Sequence, residues 1–286
     1  MRVFFLCTLL GVAAAAVFAQ PNASAPGVCS EVVAIGTHGG TTTRYALAQP
    51  PAARAGGEGR VALVLLAGGG GHLNLDDGGC PRALKGNSLV RSLVLFHDAG
   101  FVTALVDAPS DHAGADGLAG FRIAAEHAED IGKVIADVRA RTGAPVWLVG
   151  TSRGAISAVN AAARLSGPSA PDGLVLTSAL MSGFTGGHKP WVSQTVFDLP
   201  LEAIRLPVLV VGHAADKCIR SPANLMDNIT ARTRGAREQV ATVSGGPGKP
   251  GSPRVDACEG RTPHGFLEQE AEVAAGIARF IGGGRY

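Results

Sequence analysis

Charge is scarce and evenly divided in this chain. Lys, Arg, Asp and Glu make up 17% of 286 residues, as 25 basic against 23 acidic side chains. No block of one sign occurs, which excludes the basic stripe that a nucleic-acid partner or an anionic membrane surface requires. Aromatic residues are few, at 5%. There is no C-x-x-C pair and no H-E-x-x-H motif, so the common zinc and dithiol signatures are missing. His72, His97, His112 and His188 stand without paired ligand spacing, and neither a metal nor a cofactor is expected. No internal repeat is present, which excludes solenoids and propellers. Gly and Ala dominate instead, and the Gly/Pro-rich segments 49–59 and 245–253 read as surface loops rather than domain linkers.

The longest apolar run lies at the start. Arg2 supplies a positive end, Val3–Leu10 begins an apolar stretch, and Val17-Phe18-Ala19 places small residues where a signal peptidase reads. Residues 1–19 are therefore expected to be a secretory signal, cleaved after Ala19, with no stable membrane insertion afterwards. Cys7 lies too far upstream of that point to be a lipoprotein cysteine. The remainder, 20–286, suits one domain with a substantial core. It retains Cys29, Cys80, Cys218 and Cys258. An even number in a periplasmic or secreted protein suggests two disulfides, with three pairings open.

Periodicity gives the outline. Glu31–Thr37 and Thr43–Ala48 alternate apolar and polar residues around His38-Gly39-Gly40, the pattern of a hairpin. Val61–Ala67, Phe101–Val106, Val146–Val149, Leu174–Thr177 and Val208–Val211 are short, continuous apolar runs, hence buried strands. Gln239–Val243 reads as the last strand. Helices are expected from Asn87 to His97, from Phe121 to Arg141, after Gly150 to about Leu165, and from Leu267 to Phe280. Strands alternating with helices make an α/β chain, with a mostly parallel sheet of about eight strands covered on both faces. Functional groups gather at the carboxyl ends of strands in such sheets.

Gly150-Thr151-Ser152-Arg153-Gly154 joins a buried strand directly to a helix. A G-x-S-x-G turn in that context holds its serine hydroxyl at the sheet's edge, with the next N–H free to meet an oxyanion. A serine needs a base, and the base needs an orienting carboxylate. The strand ending at Val211 runs into Gly212-His213-Ala214-Ala215-Asp216, and Thr262-Pro263-His264-Gly265-Phe266 precedes the final helix.

With its elbow, its G-H-A-A-D segment and its P-H-G-F segment in that order, the chain resembles an α/β-hydrolase over its whole length after the leader. The resemblance implies that Ser152 is the nucleophile, His264 the base and Asp216 the acid, with Asp256 and Asp111 as competing acids and His213 as a rival base. The glycine run 68–71 follows an earlier strand, and Leu73 and Asn74 occupy the places where a dinucleotide loop needs its third glycine. Under the resemblance that run supplies the second oxyanion donor, Gly69 with Gly70 close behind, beside the Arg153 N–H. The same fold would set the loops of Cys218 and Cys258 side by side, so a bridge between them is implied, leaving Cys29 and Cys80. Only residues 178–207 separate two strands where many members carry a helical lid, so the site is expected to be open or lightly covered. Phe184 and Trp191 are candidates to line it. The implied activity is hydrolysis of a small-molecule carboxylic ester. A serine peptidase or amidase on the same fold and a non-catalytic binding protein are the alternatives.

Overall fold

A computed structural model describes residues 29–50, 60–183, 189–248 and 251–286. The leader reading, residues 1–19, and Phe184 lie outside the described residues. Eight strands form one sheet in the order β1-β2-β4-β3-β5-β6-β7-β8. They are β1 (Glu31–Gly36), β2 (Thr42–Ala48), β3 (Ala62–Leu66), β4 (Val102–Val106), β5 (Val146–Thr151), β6 (Gly173–Thr177), β7 (Val208–His213) and β8 (Glu238–Val243). β2 pairs antiparallel with both β1 and β4, while every pairing from β4 through β3 to β8 is parallel.

The inner strands are buried at every position. Their side chains alternate between faces. Val64 and Leu66 join one core with Leu148, Ile131, Val134, Ile135, Val138, Ile156 and Val159. Leu63 and Leu65 join the other with Trp147, Val149, Phe96, Ile277 and Phe280. Helices α3 (Ala125–Thr142), α4 (Gly154–Arg164) and the short α5 (Asp227–Thr230) cover the first face. α1 (Ser88–Arg91), α2 (Leu93–Asp98) and α6 (Glu270–Ile281) cover the second. The continuous apolar runs of the sequence are thus the strands flanked by helices on both sides, as their lack of alternation requires.

Three helices differ from their periodicity. The Asn87 side chain accepts from Leu89 N as expected of a cap, but the helix breaks at Ser92 into α1 and α2. The helix expected from Phe121 begins at Ala125, because Ala119–Ile123 forms a 3-10 turn that turns Arg122 inward. The Asn160 side chain donates to the carbonyls of Arg122 and Ala124 and holds the junction open. The closing helix starts at Glu270 rather than Leu267, since Phe266 and Glu268 take left-handed φ values of 55° and 63°. Between β6 and β7, the described residues form 3-10 turns at Pro190–Ser193, Val196–Asp198 and Leu201–Ala203. Val196, Leu199, Leu201 and Ile204 anchor them to the first core.

Candidate active site

The carboxyl ends of β5, β7 and β8 bring three polar side chains into line. Ser152 leaves β5 with φ at 53°, a left-handed conformation costly for a residue with a Cβ. The turn holds because both flanking glycines are required. A Cβ on Gly154 would stand 2.0 Å from the Leu66 carbonyl oxygen, and one on Gly150 would stand 2.5 Å from that of Gly154. Ser152 N donates to Thr177 O at 2.9 Å, which ties the turn to the neighbouring strand.

Ser152 Oγ lies 2.9 Å from His264 Nε2, and His264 Nδ1 lies 2.9 Å from Asp216 Oδ2. The side chains of His264 and Asp216 are 3% and 2% exposed, so this ion-pair geometry is shielded from bulk water. Asp216 Oδ1 accepts from Cys218 N at 2.7 Å, which fixes the carboxylate from its far side. Asp256 is exposed and paired with Arg254, and Asp111 faces His38, so neither competing acid meets His264. His213 Nδ1 accepts from Ala215 N and its Nε2 lies 3.1 Å from Gly245 O. Burial lowers its pKa from the ordinary histidine value. It is a buried residue of the β7 exit, and both its ring nitrogens are engaged by backbone atoms of Ala215 and Gly245.

A cavity of about 270 Å³ opens on the serine, lined by residues that include Gly68, Gly69, Leu84, Asn87, Cys258 and His264. Gly68 and Gly69 thus line the same cavity as Ser152. Among the described residues, the N–H groups of Gly69 and Arg153 donate to no protein acceptor. The Arg153 side chain stacks 3.9 Å from the centre of the Trp191 ring. Its guanidinium pKa is lowered to about 10 by burial first and then by Arg220. Trp191 thus covers Arg153 rather than lining the cavity at Ser152.

Disulfides join Cys218 to Cys258 and Cys29 to Cys80, with Cα–Cα distances of 4.5 and 4.7 Å. The first links the loop that carries Asp216 to the loop that leads to His264.

Several residues around the site carried no signal in the sequence. Ser221 Oγ donates to Asp216 Oδ2 at 2.7 Å and lies 2.9 Å from His264 Nδ1. Ser178 Oγ donates to the His264 carbonyl at 2.7 Å. Arg91 donates to Gly260 O at 2.7 Å and Gly265 O at 2.6 Å, and pairs with Glu270. Asp107 at the end of β4 accepts from Leu73 N at 2.6 Å and Leu75 N at 2.9 Å. Arg122 donates to the carbonyls of Ala67 and Gly69 and to Ser157 Oγ. Ser221 lies five residues from Asp216 but 43 from His264, and the partners named for the others are at least 32 residues away, so no local pattern marks them.

No protein-family model matches the chain, and no curated protein matches its sequence. Solved structures do match. A highly thermostable carboxyl esterase from Bacillus coagulans, in complex with glycerol, superposes with a TM-score of 0.59 at 15% identity, over 88% of this chain and 98% of the other. Esterase 2 of Thermogutta terrifontis, in its apo form, gives 0.58 at 14% identity over 92% and 98%. A 2,6-dihydroxy-pseudo-oxynicotine hydrolase gives 0.57 at 16% identity over 90% and 70%. With these neighbours and its eight-stranded, mostly parallel sheet, the chain has the α/β-hydrolase fold.

Proposed function

We propose that the protein is a serine hydrolase that cleaves carboxylic esters through Ser152, His264 and Asp216. The observation that carries this reading is the unbroken hydrogen-bonded line from Ser152 Oγ through His264 to Asp216. His264 Nε2 takes the hydroxyl proton as Oγ attacks the ester carbonyl carbon. The resulting oxyanion meets the N–H groups of Arg153 and of Gly69. Collapse breaks the bond to the alcohol oxygen, which leaves with the proton held by His264, and the acyl group stays on Ser152. Water, deprotonated by His264, then releases the acid and restores the serine. Asp216 keeps the imidazole in the tautomer that presents a lone pair to Ser152 and stabilises the imidazolium between steps.

Esters are favoured as substrates because esterases are among the solved structures of the same fold. The cavity at Ser152 admits a small acyl or alcohol group. An exported location is inferred from the leader reading together with two disulfides, which persist in oxidising compartments. Among the described residues, no helix is long and apolar enough to cross a membrane.

The direct test is hydrolysis of a series of p-nitrophenyl esters and of matched anilides, with covalent labelling by a fluorophosphonate. Ester turnover and stoichiometric labelling, both abolished in Ser152→Ala, are expected. Turnover of anilides alone would make the protein an amidase. No labelling and no turnover of either series would reduce it to a binding protein on this scaffold.

A further inference from the structure

A second cluster of chemistry-bearing side chains lies at the same edge of the sheet but beyond the serine site, toward β1. The β1–β2 turn, a 3-10 turn at His38–Gly40, carries His38, and the 3-10 turn Ser110–His112 after β4 carries Asp111 and His112. One ligand atom from each of the three residues falls within 4.8 Å of the other two. Asp111 Oδ2 lies 3.1 Å from His38 Nε2 and 3.9 Å from His112 Nε2. Three ligands around zinc, with bonds of about 2.0–2.2 Å at tetrahedral angles, would stand roughly 3.3 Å apart.

What distinguishes this cluster from a chance gathering is the commitment of the remaining nitrogens. His38 Nδ1 is bonded to Asp130 Oδ2, and Asp130 is buried and also accepts from His38 N at 2.8 Å. His112 Nδ1 lies 3.1 Å from the Gly117 carbonyl oxygen, which can only accept. In the neutral form both rings therefore carry their hydrogen on Nδ1, which leaves both Nε2 lone pairs for a cation; without one, His38 Nε2 must be protonated to meet the Asp111 carboxylate at 3.1 Å. A carboxylate or a backbone carbonyl behind each imidazole is the arrangement that sets the tautomer of a metal-bound histidine. Phe121 packs against both rings, at centroid distances of 4.7 Å and 4.4 Å, and locks their orientation. A proton on His38 would answer its own contact and leave His112 Nε2 still turned on Asp111. A cation answers both.

We propose that His38, Asp111 and His112 form a zinc site, with two imidazole Nε2 atoms and one carboxylate oxygen as ligands and water completing the tetrahedron. Two imidazoles and a carboxylate suit zinc better than calcium or magnesium, which take oxygen sets. The ligand side chains are 19%, 45% and 24% exposed in that order, which leaves an entry path and room for water. The negative charges of Asp111 and Asp130, offset in part by Lys133 3.8 Å from Asp130, favour a divalent ion. No local motif marks the site, because one ligand comes from residue 38 and the others from 111 and 112. The inference is independent of the reading of Ser152.

Zinc chloride titrated calorimetrically into the chelator-treated full chain tests it. One equivalent should bind to the wild type and equally to His264→Gln, which removes the competing imidazole of the serine site. His112→Gln, a change at a partly exposed ring, should weaken binding at least tenfold, and Asp130→Asn should weaken it by 10–100-fold without removing a ligand. Thermal melts of each variant without metal establish that it is folded, and His38→Gln provides a second ligand deletion. Cobalt(II) offered in place of zinc should give the intense visible bands of a four-coordinate ion in the wild type and lose them in His112→Gln. Absence of a one-equivalent phase, or a phase retained in His112→Gln and lost in His264→Gln, would overturn the proposal.

Discussion

The Arg122 guanidinium, 1% exposed, donates to the Gly69 carbonyl oxygen at 3.2 Å and to that of Ala67 at 3.1 Å. A buried cation is costly unless its donors are used; here Nη2 holds the backbone of the loop beside Ser152 and Nη1 holds Ser157, while Nε is unpartnered among the described residues. Burial first and then Arg153 lower its pKa to about 9, so it stays charged at neutral pH. The neighbouring Gly71 has φ at 77°, and a Cβ there would meet Arg122 Nη2 at 2.6 Å. Loop and guanidinium fit only as a pair.

Arg122→Lys is therefore expected to lower kcat for esters by about 100-fold with a small change in KM, since an ammonium cannot reproduce the planar fork and the misplaced loop loses oxyanion contacts. Steady-state kinetics beside a melting curve check this. A loss confined to KM, or none in a folded variant, would contradict it.

Asp216→Asn should cost about 10⁴ in turnover, because the imidazole loses its charge partner and its tautomer. Ser221→Ala should cost far less, near tenfold, since the direct His264–Asp216 bond of 2.9 Å survives. Asp256→Asn should leave the rate unchanged. A larger loss in Ser221→Ala than in Asp216→Asn would reassign the residue that orients His264.

Reduction, or the paired change Cys218→Ser and Cys258→Ser, is expected to lower turnover before it unfolds the domain. The bridge closes a segment 40 residues in separation, for which chain entropy gives about 3–4 kcal/mol of stability. Its local effect exceeds this, since one partner sits two residues from Asp216 and the other borders the cavity. Activity and ellipticity followed together through a denaturant titration separate the two effects. Coincident loss of both would argue against a role in the site.

Acid should weaken the fold from about pH 6.5 downward, the ordinary histidine value. Burial, followed by the nearby Arg122, holds the pKa of His127 well below that value, and burial lowers those of His97 and His213. The unfolded chain then binds protons that the folded chain refuses. Their stabilisation is complete above the unfolded value and is lost as pH falls toward the folded ones. His127→Gln should flatten the slope of unfolding free energy against pH in that window, measured by urea denaturation at several pH values. An unchanged slope would place the acid sensitivity elsewhere.

The parts of the site legible in the sequence are those with local chemistry. Gly150 and Gly154 mark the elbow because steric contact permits nothing larger, and β3 and β5 read as strands because burial on two faces leaves no polar positions. Asp216 and His264 were accessible through their place after strands. Arg122 was not, since helical periodicity over Phe121–Arg141 makes it an ordinary polar position. Only the break before Ala125, set by Asn160, turns it inward. Arg91 likewise acts through Gly260 and Gly265, and Ser221 through His264, partners that folding brings near. The same reason hid the ring partners of His38 and His112.

The order of the strands also bears on synthesis. Ser152 and the strands that hold its turn, β3, β5 and β6, have all been made by Thr177, yet His264 lies 112 residues beyond the serine. Its turn is secured by Ser178 and Arg91 from earlier in the chain and is followed immediately by α6. An emerging or truncated chain therefore holds a serine without its base. In a refolding experiment, regained turnover would report the docking of the last residues rather than formation of the sheet.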